Sequence, residues 1–313
     1  MPVRGLQSSR VLSTERFADA ESYQAHQVLG GGASRPLDRR HFSASRATLA
    51  LRDGLFVFQR SFARRLEADL GTDQGLGLII PIDYQCNING RDLDGSTIGL
   101  MRGKTAATVV EQRPNTYLMV RFNSHMRQRG WPESETALQY FRAENALILH
   151  LRSTVLEMFS LASASNDLEQ FETLNKPLHE ALLTALDEVF ATAVGPRRLV
   201  RSHAQYCRLA ARLDEYVEYS GSAALYSDEI AQAVGVSVRT LQTAMQVAHG
   251  MSLHRYLRLK RMWLIRKQLA TGMAGVTVKS LALANGFSHM GEFSQAYKSL
   301  FGESPSFTIA RSR

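Results

Sequence analysis

Between Ala47 and Asn123 apolar residues come in short runs, "TLALRDGLFVFQRSF", "GLGLIIPIDYQCNING", "STIGLMRG" and "TYLMVRFN", separated by polar or glycine-rich breaks. Runs of this length, divided by Asp53-Gly54 and Asn89-Gly90, have the pattern of β-strands joined by tight reversals, and several in succession predict an antiparallel sandwich or barrel. Beyond Pro132 the apolar spacing lengthens to three and four residues, which predicts a helix around Glu135 to Ala162 and another around Pro177 to Val194. Gly195-Pro196-Arg197-Arg198 then breaks the pattern and marks a linker. Everything after it has helical spacing. The expected fold is α+β, with a first domain over residues 1–200 and an all-α domain over 201–313.

The helical third contains one pattern written twice. "GVSVRTLQTAMQVAHG" starts at Gly235 and "GFSHMGEFSQAYKSLFG" at Gly286. Ile230, Ala231 and Ser237 match Leu281, Ala282 and Ser288 at an offset of 51. After one inserted residue, Leu241, Met245, Gly250 and Ser252 match Phe293, Tyr297, Gly302 and Ser304 at an offset of 52. In each copy a short apolar-faced helix ends at a glycine, a tight turn follows, and a second helix with one buried stripe begins. Ser227 or Asp228 is placed to cap the first helix and Ser237 the second. Small residues at Ala231 and Ala282 suit the close crossing of a helix-turn-helix. Between the copies, Leu253 to Ala270 forms a continuous helix pattern with Tyr256, Leu257, Met262, Leu264, Ile265 and Leu269 available for burial. Such a linker would hold both second helices at a fixed spacing for successive major grooves on one face of a duplex.

Charge strengthens this reading. The net charge is +8, and residues 201–313 carry 14 Lys+Arg against seven Asp+Glu, so nearly all the excess lies in the last third. A basic domain attached to a near-neutral one points to a polyanionic partner. The two cysteines, Cys86 and Cys207, lie far apart with no zinc-type spacing. The N-terminus lacks a secretory apolar core, and the run "GLGLIIPI" is far shorter than a membrane span. A soluble, cytoplasmic protein with no membrane partner is expected.

Residues from about 205 to 310, above all "GFS…FS.AY…FG.SPS", resemble the DNA-binding domain of AraC/XylS-type transcription regulators. The resemblance implies seven helices, two helix-turn-helix units and a linker helix. It also implies double-stranded DNA and RNA polymerase as partners, a small-molecule effector, and pairing of two copies of the chain. Four positions depart from the family pattern: Leu253 replaces a frequent proline, His249 an apolar residue, and Thr243 and Gln295 frequent arginines. The last two remove charged base readers and blur the operator sequence.

In the first recognition helix the buried stripe leaves Val238, Arg239, Gln242, Thr243 and Gln246 outward. Arginine forks onto guanine and glutamine onto adenine, so Arg239 and Gln242 are the strongest base readers. In the second helix, His289, Met290, Ser294 and Gln295 align with base-reading positions of the family. Ser237, Ser288, Lys298, Arg258 and Arg261 are candidates for phosphate contacts, which orient a protein without reading sequence.

The β-rich first domain with its trailing helices resembles, in architecture, the cupin-like effector domain with dimerisation helices of the same family. "ENALILHLRSTVLEMFSLA" fits a helix packed on its own barrel as well as it fits a dimer seam. Phe56, Phe58, Tyr84, Cys86 and Met101 are candidates for an effector pocket. An enzyme of cupin type would need clustered histidines with a glutamate. Here His26, His41, His125 and His150 are scattered, and neither a phosphate loop nor a nucleophile elbow occurs. No catalytic residue, cofactor or metal is therefore expected. A DNA-binding protein without an effector is the other reading left open.

Overall fold

The computed structural model describes residues 5–19, 22–23, 34–37, 42–70, 76–103, 105–132, 138–192, 201–220, 226–271 and 275–311. His26, His41 and the Gly195 to Arg198 linker lie outside them. The chain divides into two compact units, Met1–Ser34 with His41–Arg198, and Arg35–Arg40 with Leu199–Arg313.

In the first unit, antiparallel strands form a seven-stranded sheet. Its order is β1 (Leu12–Phe17), β3 (Ser43–Leu51), β4 (Gly54–Phe62), β11 (Asn115–Phe122), β6 (Leu76–Asp83), β9 (Thr97–Met101) and β12 (Leu138–Arg142). β2 (Ser34–Pro36) is a short strand preceding β3. A second sheet contains, in order, β5 (Arg64–Leu70), β10 (Thr105–Glu111), β7 (Cys86–Ile88) and β8 (Arg91–Leu93).

The central strands are covered on both faces. Phe56, Phe58, Leu118, Val120, Leu78 and Ile80 join one core with α1 (Asn145–Ala164) and α2 (Leu168–Thr192). Ile79, Met101, Tyr117 and Tyr140 join another with Cys86, Ile88 and Val109 of the second sheet. Side chains alternate between faces, so a strand buried on both sides loses its polar alternation. That is why β6 reads as the continuous run "LGLIIPI".

Both reversal signals are hairpin loops, for different reasons. Leu51 pairs with Gly54, leaving Arg52-Asp53 as the loop. A Cβ on Gly54 would lie 2.3 Å from the Arg121 carbonyl oxygen, so the glycine is required by the close passage of β11. Ile88 pairs with Arg91, and Asn89-Gly90 turns with both φ values positive, 52° and 76°, as a type I′ hairpin demands. Asp53 also secures two other elements. Its Oδ1 lies 2.9 Å from His125 Nε2 and its Oδ2 lies 2.7 Å from His179 Nε2, the latter on α2.

The expected helix from Glu135 is corrected. Leu138–Arg142 pairs with β9, and Tyr140 and Phe141 enter opposite cores, a strand alternation too short to stand out beside the helix that follows. α1 begins only at Asn145. α2 begins at Leu168 rather than at Pro177, because Asp167 Oδ1 accepts the Gln170 amide and caps it there. Pro177 is accommodated inside the helix. By length and hydropathy α1 could cross a membrane. Its Ile148, Leu151, Val155, Met158, Phe159 and Ala162 are instead packed in the core of this unit, which makes it a core helix.

The second unit holds seven helices among the described residues: α3 (Arg201–Tyr219), α4 (Ser227–Ala233), α5 (Val238–His249), α6 (Leu253–Ala270), α7 (Val278–Ala284), α8 (Met290–Phe301) and α9 (Pro305–Arg311). The turns after α4 and α7 are built alike. Val236 N–H bonds to the Ala231 carbonyl and Gly235 N–H to that of Gln232, and Phe287 and Gly286 repeat both bonds onto Ala282 and Leu283. This is the Schellman arrangement, with Gly235 and Gly286 left-handed at φ 72° and 77°. α6 serves two cores, sending Tyr256 and Leu257 inward beside one helix pair and Met262, Ile265 and Leu269 beside the other.

The start of α4 differs from expectation. The residue at its N-cap is Tyr226, whose amide donates to the Glu229 carboxylate at 3.2 Å, while Ser227 and Asp228 lie inside the first turn. Ser237 caps α5 as expected, accepting the Thr240 amide at 3.1 Å. In the second copy the inserted residue falls at the cap itself. His289 occupies that place without a side-chain bond, and Ser288 is displaced into the turn.

Candidate nucleic-acid interface

α5 and α8 each bury one stripe and expose the other. Leu241, Ala244, Met245 and Ala248 are buried on α5, as are Phe293, Tyr297 and Leu300 on α8. Opposite the first stripe, Arg239, Gln242, Thr243 and Gln246 are exposed and Val238 is half-buried. Thr243 Oγ1 donates back to the Arg239 carbonyl at 3.0 Å. On α8, His289, Gln295 and Lys298 are exposed, and Ser288 lies exposed in the turn before it. Ser294 and Met290 are half-buried, and Met290 packs against the second core. The structure thus gathers the candidates into two sets, one per helix, with Met290 the least available.

The electrostatics are more selective than the charge count. Lys260 and Arg266 are committed inside the unit, at 3.4 Å from Asp214 and 3.1 Å from Glu303 respectively. Arg258 and Arg261 are half-buried, and burial pulls Arg261 below the usual guanidinium range, against an opposing pull from Tyr226. Arg239, Arg255, Lys267, Lys279 and Lys298 are exposed. With Arg208 and Arg212 of α3 and Arg311 of α9, which are also exposed, they supply positive charge to a polyanion.

The sequence reading missed the groups that set the C-terminal end of α5. His249, its last residue, is 5% exposed and stacks on Tyr256 with ring centroids 4.9 Å apart and planes 8° from parallel. Asp214 of α3 accepts the Tyr256 hydroxyl and lies 3.8 Å from His249 Nε2. The only signal in the sequence was His249 at a place usually apolar in the family.

Burial, with the Lys260 ammonium adding to it, lowers the His249 pKa to about 4. The folded imidazole is therefore neutral at pH 7. Between pH 6.5 and 4 the unfolded chain binds a proton that the folded chain refuses, so this contribution to stability is present above 6.5 and lost as pH falls through that window. At 1.36 kcal/mol per unit the loss approaches about 3 kcal/mol. Urea midpoints at pH 7 and pH 4 should differ less in a His249→Phe chain than in the parent. An equal difference in both would exclude His249 as the source.

In the first unit the five effector candidates separate. Phe56 and Phe58 face the helices, with Phe58 5.3 Å from the Phe159 ring. Tyr84, Cys86 and Met101 lie between the sheets with Tyr117 and Tyr140. Burial raises Tyr84 well above the usual phenol range, with Cys86 and the neighbouring tyrosines adding to it. A polar network adjoins this second set. Gln59 Nε2 donates to Tyr117 at 2.7 Å, and Ser61 Oγ donates to Glu111 at 2.7 Å.

A family model described as a helix-turn-helix domain matches residues 230–311. The XylDLEGF operon transcriptional activator 3 of Pseudomonas putida is 31% identical over 106 residues, covering 34% of this chain and 32% of that protein. The probable thc operon regulatory protein of Rhodococcus erythropolis is 39% identical over 93 residues, covering 29% and 28%. The matches therefore span about a third of the length of these relatives. A probable AraC family transcriptional regulator from Rhodopseudomonas palustris, known as a crystal structure, is 30% identical with a TM-score of 0.31, covering 34% of this chain and 98% of that one. The helices that carry the repeated motif thus match a helix-turn-helix domain and are similar to the corresponding third of these transcription regulators.

Proposed function

We propose that the chain is a sequence-specific transcription regulator that places two helix-turn-helix units, α4–α5 and α7–α8, in successive major grooves, under control of a small molecule held by the first unit. The observation that carries this is the repeated pair of Schellman turns, each followed by a helix with one buried stripe and one polar face. Arg239 and Gln242 are the main base readers of the first unit, and His289 and Gln295 of the second. Val238, Thr243, Gln246, Met290 and Ser294 flank them. Lys298, Ser237 and Ser288 hold phosphates, together with Arg258 and Arg261, both half-buried on α6.

Residues 1–200 act as the effector and pairing domain and 201–313 as the DNA-binding domain, in the cytoplasm, with RNA polymerase as the partner at the promoter. The two facing sheets support a cupin-like reading of the effector domain. Tyr84, Cys86 and Met101, beside Tyr117 and Tyr140, are its preferred lining, and Phe56 and Phe58 belong to the wall behind. Leu149, 61% exposed on α1, supports a seam to a second copy of the chain.

Binding-site selection separates the two kinds of contact. Arg239→Ala should cost about 1–3 kcal/mol on the selected operator and relax preference at one base pair. Lys298→Ala should weaken all duplexes alike and lower the salt slope by about one. Effector control has its own test, in metabolites screened by thermal shift on the full chain. A compound that changes operator affinity must have its own affinity changed by operator to the same factor. Turnover of such a compound would replace effector control with an enzymatic role.

A further inference from the structure

The repeat reaches further than the helix-turn-helix pairs. At the same offset of 52, α3 lies over α6, so that the buried residues Ala210, Leu213 and Asp214 match Met262, Ile265 and Arg266. Each copy thus has a helix that precedes its pair and carries one buried charge at the same place. The charge has opposite sign in the two copies, and its counter-charge comes from a different place in each, Lys260 of α6 for Asp214 and Glu303 after α8 for Arg266.

In the second copy the charge is cationic. Arg266 lies 4.6 Å over the Phe301 ring at the end of α8 and 3.1 Å from Glu303. Glu303 accepts the Thr308 hydroxyl at 2.7 Å, and Thr308 is 2.9 Å from the Tyr297 hydroxyl. In the first copy the charge is anionic. Asp214 takes the Tyr256 hydroxyl, has Lys260 at 3.4 Å, and meets His249, which stands where the other copy has Phe301. A phenyl face attracts a guanidinium and repels a carboxylate, whereas an imidazole N–H is compatible with a carboxylate. The aromatic residue at the end of each recognition helix has changed with the sign of the charge it faces. This accounts for the departure of His249 from the apolar residue usual in the family.

The geometry points to Asp214 and His249 as positioning residues of the first recognition helix. They fix its C-terminal end between α3 and α6, and thereby set how Arg239 and Gln242 meet base edges. Arg266, Glu303 and Phe301 do the same for α8 with inverted chemistry, so each recognition helix is matched to its own preceding helix. The inference rests on the two-unit reading proposed above.

The test is binding-site selection with the full chain, with thermal unfolding recorded on each variant. Arg239→Ala and Gln295→Ala first mark the operator positions read by each unit. His249→Phe, which installs the residue of the second copy, should flatten preference at the Arg239-dependent positions and lower selected-operator affinity about tenfold, the size of one lost base contact. The Gln295-dependent positions and random-duplex affinity should stay as in the parent. His249→Gln, which keeps an N–H donor, should restore the preference. Asp214→Asn, close in shape, should reproduce the loss at the same positions if His249→Phe does not fold. Equal loss in both sets of positions, or no loss in either with both variants, overturns the positioning role. An Arg239→Ala chain with unchanged preference everywhere would overturn the two-unit reading instead.

Discussion

Replacing Glu303 with alanine is expected to destabilise the α6–α9 end of the helical unit by about 3–5 kcal/mol, the range for breaking a buried ion pair from one side. The Arg266 side chain is 9% exposed and Glu303 15% exposed, so the guanidinium cannot recover bulk hydration when its carboxylate is removed. The same oxygen that faces Arg266 also accepts Thr308, which ties α9 to the end of α8. Amide exchange over Met290–Arg311 measures the effect locally, without requiring the whole chain to unfold in one step. Replacing both partners, as in Arg266→Met with Glu303→Leu, should recover most of the loss, since matched apolar substitution of a buried pair is often nearly neutral. A single variant with unchanged exchange would show that the pair is solvated in solution.

Raising salt from 50 to 200 mM should weaken operator binding by about a thousandfold. Along α4 to α8, exposed Arg255, Lys267, Lys279 and Lys298 with half-buried Arg258 and Arg261 make six candidates for phosphate contact. Six contacts release counterions with a slope near −5 in log affinity against log salt. Lys260 and Arg266 are excluded from this count because they are committed to Asp214 and Glu303. A slope near −7, as eight contacts would give, would mean that those pairs open on DNA.

The helical unit was legible because its signals are local. Gly235 and Gly286 mark left-handed helix ends, Ser237 marks a cap, and the stripes at three and four residue spacing follow from one helix at a time. The buried charges were not legible. Asp214 and Lys260 are 46 positions apart, and only the packing of α3 against α6 shows that they pair. Arg266 and Lys260 therefore counted as surface charge when only composition was available.

In the β-rich unit the runs bounded by Asp-Gly and Asn-Gly were readable as strands. β12 was hidden by its five residues and by the helix pattern after it. β10 and β5 lack the sustained apolar character of the central sheet, as "TAATVVE" and "RRLEADL" show. The pocket candidates mixed two faces because facing depends on register. Phe56 pairs with Val120, which pairs with Leu78, and all three enter the helix-side core, while Tyr117, Ile79 and Tyr84 enter the other. A shift of one residue would exchange the two sets. Runs of mixed aromatic and aliphatic residues do not encode that parity.

The central claim is that two units of one chain read one face of the duplex, the first through Arg239. Methylation interference at guanine N7 on a selected operator, with the full parent chain and with Arg239→Ala, tests it most directly. The predicted result is two clusters of major-groove interference about 10 base pairs apart on the same face, the half-site spacing of paired recognition helices. Arg239→Ala should erase interference at a guanine in one cluster and leave the other cluster intact. A single cluster, or two clusters that Arg239→Ala leaves unchanged, would contradict it.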